Sequence, residues 1–154
     1  MVRSATVCDA EAICALVNHH AERGKMLHRS LESIYQALRD FLVYCNGPRV
    51  LGCLALPVMW KDLGEIRSLA VAEGHQGRGI GRALVDAAIA DAKALGLKRL
   101  FALTYEEAFF GRFGFRTVDR QTLPTKVWSD CIYCPRAGAC DEIAMVLDLD
   151  ATDG

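Results

Sequence analysis

Val71-Ala72-Glu73-Gly74-His75-Gln76-Gly77-Arg78-Gly79-Ile80-Gly81-Arg82-Ala83-Leu84 is a glycine-rich turn set between an apolar run and an amphipathic one. Glycines at 77, 79 and 81 remove the Cβ atoms that would keep an anionic ligand from the backbone. Successive N–H groups can then converge on a pyrophosphate at a helix N-terminus. Arg78 and Arg82 add positive charge at the same place.

The spacing narrows the phosphate ligand. A Walker loop needs Lys and then Ser or Thr after its last glycine, and Gly81 is followed by Arg82-Ala83. A dinucleotide fingerprint needs a glycine where Leu84 stands and an acidic residue roughly 20 positions on, where Lys98 to Phe101 offer none. Gln76, Gly79 and Gly81 instead form Gln-x-x-Gly-x-Gly directly after Arg67-Ser68-Leu69-Ala70-Val71. This resembles the acetyl-CoA signature of the GNAT acyltransferase superfamily. The resemblance implies acetyl-CoA as cosubstrate, with Gln76, Gly77, Arg78, Gly79, Ile80, Gly81 and Arg82 around its pyrophosphate. It also implies that the strand segment Leu69, Ala70 and Val71 offers backbone groups to the pantetheine arm and the oxyanion.

At 154 residues the chain reads as one domain over residues 2–149, with a tail at 150–154. A hydrophobic content of 52%, a charged content of 24% and a net charge of −1 give no bulk attraction for nucleic acid or anionic membrane. Small-molecule partners are expected, and a second copy of the chain, as a homodimer, is left open. The N-terminus lacks a signal-peptide core and no apolar run approaches a membrane span, so a cytoplasmic protein is expected. Seven cysteines are an odd number, which argues against a complete disulfide framework. Cys8, Cys14, Cys45 and Cys53 stand among apolar residues and read as core.

Periodicity predicts a strand over Val2 to Val7, then a helix capped by Asp9 with Ile13, Leu16, Val17 and His20 on one face. A loop from Gly24 to Arg29 leads to a helix begun by Ser30, and Phe41–Cys45 and Val50–Leu56 form a hairpin around Asn46-Gly47-Pro48. Glu65–Val71 reads as the next strand. A helix runs from Gly79 to about Leu95 with Ile80, Leu84, Ala88, Ala92 and Leu95 as its stripe, and Gly96 stops it. Lys98–Thr104 is a strand, Glu106–Arg112 a short helix, Gly114-Phe115 opens a strand and Ile143–Leu149 closes the sheet. Alone, this pattern predicts an α/β or α+β domain. Its order matches the GNAT arrangement, which implies a mixed central sheet splayed at the fourth strand, with helices on both faces.

Further segments sharpen the resemblance. Leu27-His28-Arg29-Ser30, Gly64-Glu65-Ile66-Arg67-Ser68-Leu69-Ala70-Val71, Phe101-Ala102-Leu103-Thr104 and Phe109-Phe110-Gly111-Arg112-Phe113-Gly114-Phe115 look like the acetyltransferase domain of N-acetylglutamate synthases. Leu123-Pro124, Lys126-Val127-Trp128 and Glu142-Ile143-Ala144-Met145 look like its short, single-domain bacterial branch, which lacks the amino-acid-kinase domain of the long synthases. The expected function is transfer of acetyl to the α-amino group of L-glutamate or L-glutamine, in arginine biosynthesis.

An amine attacks a thioester only as the free base, so a carboxylate must accept a proton, and Glu65 matches the family's proposed base. The Tyr that protonates the thiolate in many GNAT enzymes is replaced by Phe110. Thr104, at the position where the glutamate-acetylating branch has a hydroxyl, is the other catalytic candidate, with Tyr105 or no donor at all as alternatives. Planar, bidentate recognition of carboxylates favours Arg, which makes Arg29 the leading substrate reader. Ser30 and Arg67 join it, with Arg112, Lys126 and His28 as secondary candidates. Phe109, Phe110 and Phe113 read as packing residues.

Cys131-x2-Cys134-x5-Cys140 offers three thiolates to a metal, but structural zinc sites usually pair two such knuckles, so no metal is expected. A cysteine-rich lid or a redox-sensitive loop is equally compatible. Two rival functions remain: a GNAT enzyme for another small amine or a protein N-terminus, and a non-catalytic acyl-CoA-binding sensor.

Overall fold

A computed structural model describes residues 1–24, 26, 28–123 and 142–149. Its contacts divide into two units. The first comprises Met1–Pro57 and Ile66–Asp91, the second Val58–Glu65 and Ala92–Gly154.

The first unit starts with β1 (Val2–Ser4), shorter than the expected Val2–Val7 because the chain enters a 3-10 turn at Val7–Asp9. Arg3 Nη1 and Nη2 donate to Asp9 Oδ2 and Oδ1 at 2.7 and 3.0 Å, and Thr6 N donates to Asp9 Oδ2 at 2.7 Å. Asp9 thereby ties the strand end to the start of α1 (Ala10–Glu22), where a carboxylate also complements the helix dipole. These donors, Arg3 first, hold the buried Asp9 carboxyl down at about 2, against an ordinary 3.8.

The periodic face of α1 packs on β3 (Arg49–Ala55) and β6 (Arg67–Val71). Ile13 and Val17 are fully buried there with Ile34 of α2 (Leu31–Gln36) and Phe41 of β2 (Phe41–Asn46). Each such side chain contributes about 1.5–3 kcal/mol at most from removing apolar area from water. Strands β1, β2, β3 and β6 form an antiparallel sheet in that order, and the β2–β3 hairpin turns where the sequence predicts. Cys53 is buried in this core, and burial pushes its thiol up to about 12. Cys8, expected in the core, is exposed, since it lies on the 3-10 turn outside the helical face.

Helix α3 (Ile80–Leu95) meets β3 at Gly52. A Cβ on Gly52 would lie 2.9 Å from Ile80 Cγ2 and 3.1 Å from Leu84 Cδ1, so the glycine permits the start of α3 to approach the sheet. Ile80, Leu84, Ala88 and Ala92 are buried as expected, but Leu95 is 62% exposed, because the apolar stripe is covered only as far as Ala92.

The second unit holds β4 (Val58–Trp60), β5 (Leu63–Glu65), β7 (Arg99–Thr104), α4 (Glu107–Gly111), β8 (Arg116–Val118) and β9 (Ile143–Asp148). Its mixed sheet has the order β4-β5-β7-β9-β8, with β5 parallel to β7 and the other pairs antiparallel. Phe101, Ala144, Val146, Leu63 and Leu123 form its core cluster. Phe110 is buried edge-to-face against Phe109 and Phe115, the packing role its sequence context predicts.

One sequence expectation needs correction. The single strand expected over Glu65–Val71 is two: Glu65 ends β5 in one sheet and Arg67 begins β6 in the other. Leu63 to Ile66 are all buried, Glu65 among them, so no change between buried and exposed positions marks the change of sheet. β4 was also not anticipated.

Two outcomes test this description. Gly52→Ala should destabilise the protein by about 1–3 kcal/mol through overpacking, read from the urea midpoint. Asp9→Asn should cost about 1 kcal/mol at neutral pH, a figure already reduced for solvent screening because Arg3 is 43% exposed. Since the folded pKa lies below the unfolded one, the deficit should be complete above about pH 4 and vanish as pH falls through about 2, as urea titrations at several pH values would show.

Candidate functional site

Among the described residues β6 is an outer strand of its sheet. Gly52 pairs with Val71 and Cys53 with Ala70, and Ala72 N donates to Leu51 O at 2.8 Å. Antiparallel alternation therefore turns the peptide groups of Ala70 and Ala72 toward β3 and those of Val71 outward. The outward Val71 carbonyl accepts from His20 Nε2 at 2.9 Å, and His20 itself is buried on α1.

The turn that follows β6 is shaped by positive backbone angles. Gly77 has φ 81° and Gly79 φ 83°, and a Cβ at either would meet nothing within 4 Å. The left-handed backbone angle is by itself enough to require glycine there. Ala83 N donates to Gly79 O at 3.0 Å. The N–H groups of Ile80, Gly81 and Arg82 precede that first intrahelical donor and point from the N-terminus of a 16-residue helix. With Gln76, Arg78 and Arg82 exposed around them, they make an anion-binding surface. Arg82 leans on Asp86, its Nε 3.9 Å from Oδ2, with 79% of its side chain exposed.

At the other end of β6 the ladder is irregular. Ala55 pairs with Arg67 and Cys53 with Ala70, so β6 carries one residue more than β3 between the two pairs. Within this bulge Ser68 has φ 56°, a left-handed conformation that costs a non-glycine residue of the order of 1–2 kcal/mol. The bulge brings Ser68 Oγ to 3.5 Å from Arg29 Nη1. The Arg29 guanidinium also lies 5.4 Å from the centre of the Phe41 ring, in cation–π range.

Arg29 is half-buried. Its burial, then the charge of Arg67, weakens its hold on its proton, while Asp40 acts the other way. Asp40 has its carboxyl raised by burial, opposed by Arg67 and Arg29. These three side chains carry two positive charges against one negative. A desolvated guanidinium beside a second one is stabilised by a ligand carboxylate, which is the chemistry this cluster offers. Ser30 Oγ accepts from Ser33 N at 3.0 Å as the cap of α2, which leaves its hydrogen for another partner. His28 is exposed.

In the second unit, Glu65 is buried, 8% exposed, and pairs with Phe101 across the parallel β5–β7 ladder. Thr104 is equally buried at the end of β7, and its Oγ1 accepts from Glu106 N at 2.8 Å. That contact uses the hydroxyl as acceptor and keeps its hydrogen available to donate. Tyr105 and Arg112 are exposed. Lys126, Cys131, Cys134 and Cys140 lie outside the described residues.

Residues 10–115 match the acetyltransferase (GNAT) family. The chain belongs to the GNAT acetyltransferases. An uncharacterized N-acetyltransferase of Chlorobaculum tepidum is 43% identical to it over 148 residues, 96% of each chain. An amino-acid acetyltransferase of Mycobacterium tuberculosis is 40% identical over 134 residues, 84% of this chain and 76% of that protein. The crystal structure of a Mycobacterium tuberculosis protein in complex with CoA and NLQ superposes with a TM-score of 0.84 at 33% identity, covering 97% of this chain and 99% of that one. N-acetylglutamate synthase from Neisseria gonorrhoeae, complexed with CoA and N-acetyl-glutamate, gives a TM-score of 0.88 at 31% identity. It covers 97% of this chain, which spans 35% of that synthase.

The GNAT fold places the Gln76–Arg82 turn between β6 and α3, as the signature predicts. Sequence reasoning missed Asn18, Asp40 and Ser68, and placed His20 on the apolar face of α1 without its partner. Nothing in the local pattern of the first three distinguishes them, because each acts on a segment distant in the chain or through a backbone conformation. In this GNAT chain Gly79→Ala should lower stability by about 1 kcal/mol or more, through the left-handed angle alone. Gly111→Ala, on a helix where φ is not positive and the space is open, is the control expected to be neutral or slightly stabilising in the same thermal melts.

Proposed function

We propose that the chain transfers the acetyl group of acetyl-CoA to the α-amino group of L-glutamate or L-glutamine, a step of arginine biosynthesis. One observation carries this reading: a single five-residue strand, β6, has the Arg29–Ser68 contact and its neighbour Arg67 at one end and the anion-binding turn at the other. A carboxylate-bearing acceptor and a phosphate-bearing donor are thus served from the same strand. The names of the Mycobacterium tuberculosis and Neisseria gonorrhoeae relatives support the same chemistry.

In this proposal the outward groups of β6 at Leu69 to Val71 hold the donor's amide-bearing arm. The N–H groups of Ile80, Gly81 and Arg82, with Gln76, Gly77, Arg78 and Gly79, hold its pyrophosphate. Arg29 and Arg67 read the acceptor carboxylate, with Ser30 beside them in sequence. The free amine attacks the thioester carbonyl, forming the C–N bond, and its proton passes to Glu65. Collapse of the tetrahedral intermediate breaks the C–S bond. The departing thiolate receives a hydrogen bond from Thr104, whose hydrogen is available because Glu106 N takes the acceptor side of its hydroxyl.

Steady-state assays over a panel of amino acids test the proposal, with glutamate or glutamine expected as the best acceptor. Turnover of neither would refute it. Glu65→Gln should lower kcat by about 10²-fold or more while the Kd for CoA, measured by calorimetry, stays unchanged. CoA binding by the native protein without turnover of any amine would point to a binding protein instead.

A further inference from the structure

Asn18 and His20 lie on the last turns of α1 and bind two different segments of backbone. The Asn18 side-chain amide is paired with the peptide groups of Arg29 in both directions: Nδ2 donates to Arg29 O at 3.0 Å, and Oδ1 accepts from Arg29 N at 2.9 Å. One carboxamide therefore acts as a one-residue strand partner, holding Arg29 extended immediately before the Ser30 cap of α2. Cys14 Sγ reaches the same Arg29 carbonyl at 3.7 Å. Only Asn or Gln carries a donor and an acceptor on one planar group suited to this pairing.

His20 performs the corresponding task at β6. A carbonyl can only accept, so Nε2 carries the hydrogen in the 2.9 Å contact with Val71 O. The same peptide plane is held from its other side, where Ala72 N donates to Leu51 O at 2.8 Å. This is the last strand peptide before the glycine turn, so its tilt sets the direction in which the turn departs. Glu73, the next residue but one, is paired with Arg23 and lies 3.5 Å from His19 Nε2, also from the end of α1.

We infer that α1 is a registering element in which Asn18 positions Arg29 for the acceptor and His20 positions the Val71–Ala72 peptide for the donor, each independently of the other. The inference rests on the proposed function, in which Arg29 reads the acceptor carboxylate and β6 with its turn holds acetyl-CoA. Neither residue reaches the substrates in this assignment: both are positioning residues acting through backbone.

The two roles predict opposite signatures in the intact chain. Asn18→Leu and Asn18→Asp should raise the acceptor KM about tenfold or more, with the acetyl-CoA KM and the calorimetric Kd for CoA unchanged. Asn18→Asp keeps the acceptor for Arg29 N but loses the donor, which preserves a measurable variant should the leucine fail to fold. His20→Ala should weaken CoA binding by about tenfold and leave the acceptor KM unchanged, and His20→Gln, which retains a side-chain N–H donor, should recover most of the loss.

Equal effects of both substitutions on both substrates, or a fall in melting temperature with both KM values unchanged, would overturn the inference. Arg29→Ala separates it from the reading beneath it. If that variant leaves the acceptor KM unchanged, or no amino acid is an acceptor, the assignment of Arg29 fails and the Asn18 half of the inference fails with it. The CoA titration still decides the His20 half. If Arg29→Ala raises the acceptor KM and the Asn18 variants do not, the inference alone is wrong.

Discussion

The pairing of β6 with β3 on one side only, among the described residues, is the constraint on which the candidate site depends. A strand inside a sheet spends its N–H and C=O groups on two neighbours; an outer strand keeps half of them for other partners. In this chain those groups are used selectively. The Val71 carbonyl goes to His20, while the peptide that follows is pinned to Leu51 O. The glycine turn and the start of α3 are therefore launched from a peptide held on both sides, so a turn that is itself mostly exposed has a determined origin. Gly52 completes the arrangement by admitting Ile80 and Leu84 against β3, which fixes where the helix N-terminus lies on the sheet.

The second consequence of β6 is electrostatic. Its bulge at Ser68 interrupts the regular ladder and turns that hydroxyl toward Arg29, a local strain maintained by pairing on either side. Arg29 is half-buried over an aromatic ring, with one other guanidinium and one carboxylate as charged neighbours. Burial of a guanidinium costs free energy, and a carboxylate that pairs with it offsets that cost.

Much of the fold was legible in the chain. The cap at Ser30, the helical face of Ile13 and Val17, the hairpin around Gly47 and the helix running from the glycine turn to Gly96 all depend on interactions within a few residues. Such interactions leave periodic or positional traces. The division of Glu65–Val71 between two sheets left none, because Leu63 to Ile66 are all buried, the charged Glu65 included, so the sequence shows no exposed and buried sides to read there. Leu95 erred for the related reason that periodicity shows which side of a helix is apolar and not how far the surface it packs against extends.

The site divides along the same line. The sequence by itself determined the glycine turn with its arginines, because a left-handed backbone angle and a helix N-terminus are local requirements that only particular residues meet. It also named Arg29, Glu65 and Thr104 as chemistry-bearing positions through resemblance. Tertiary structure alone decided which backbone groups of β6 face outward, that Asn18 grips Arg29 from 11 residues away, and that His20 reaches Val71 across 51 residues. Those contacts join groups whose separation along the chain bears no relation to their distance in space. No pattern of neighbouring residues encodes them.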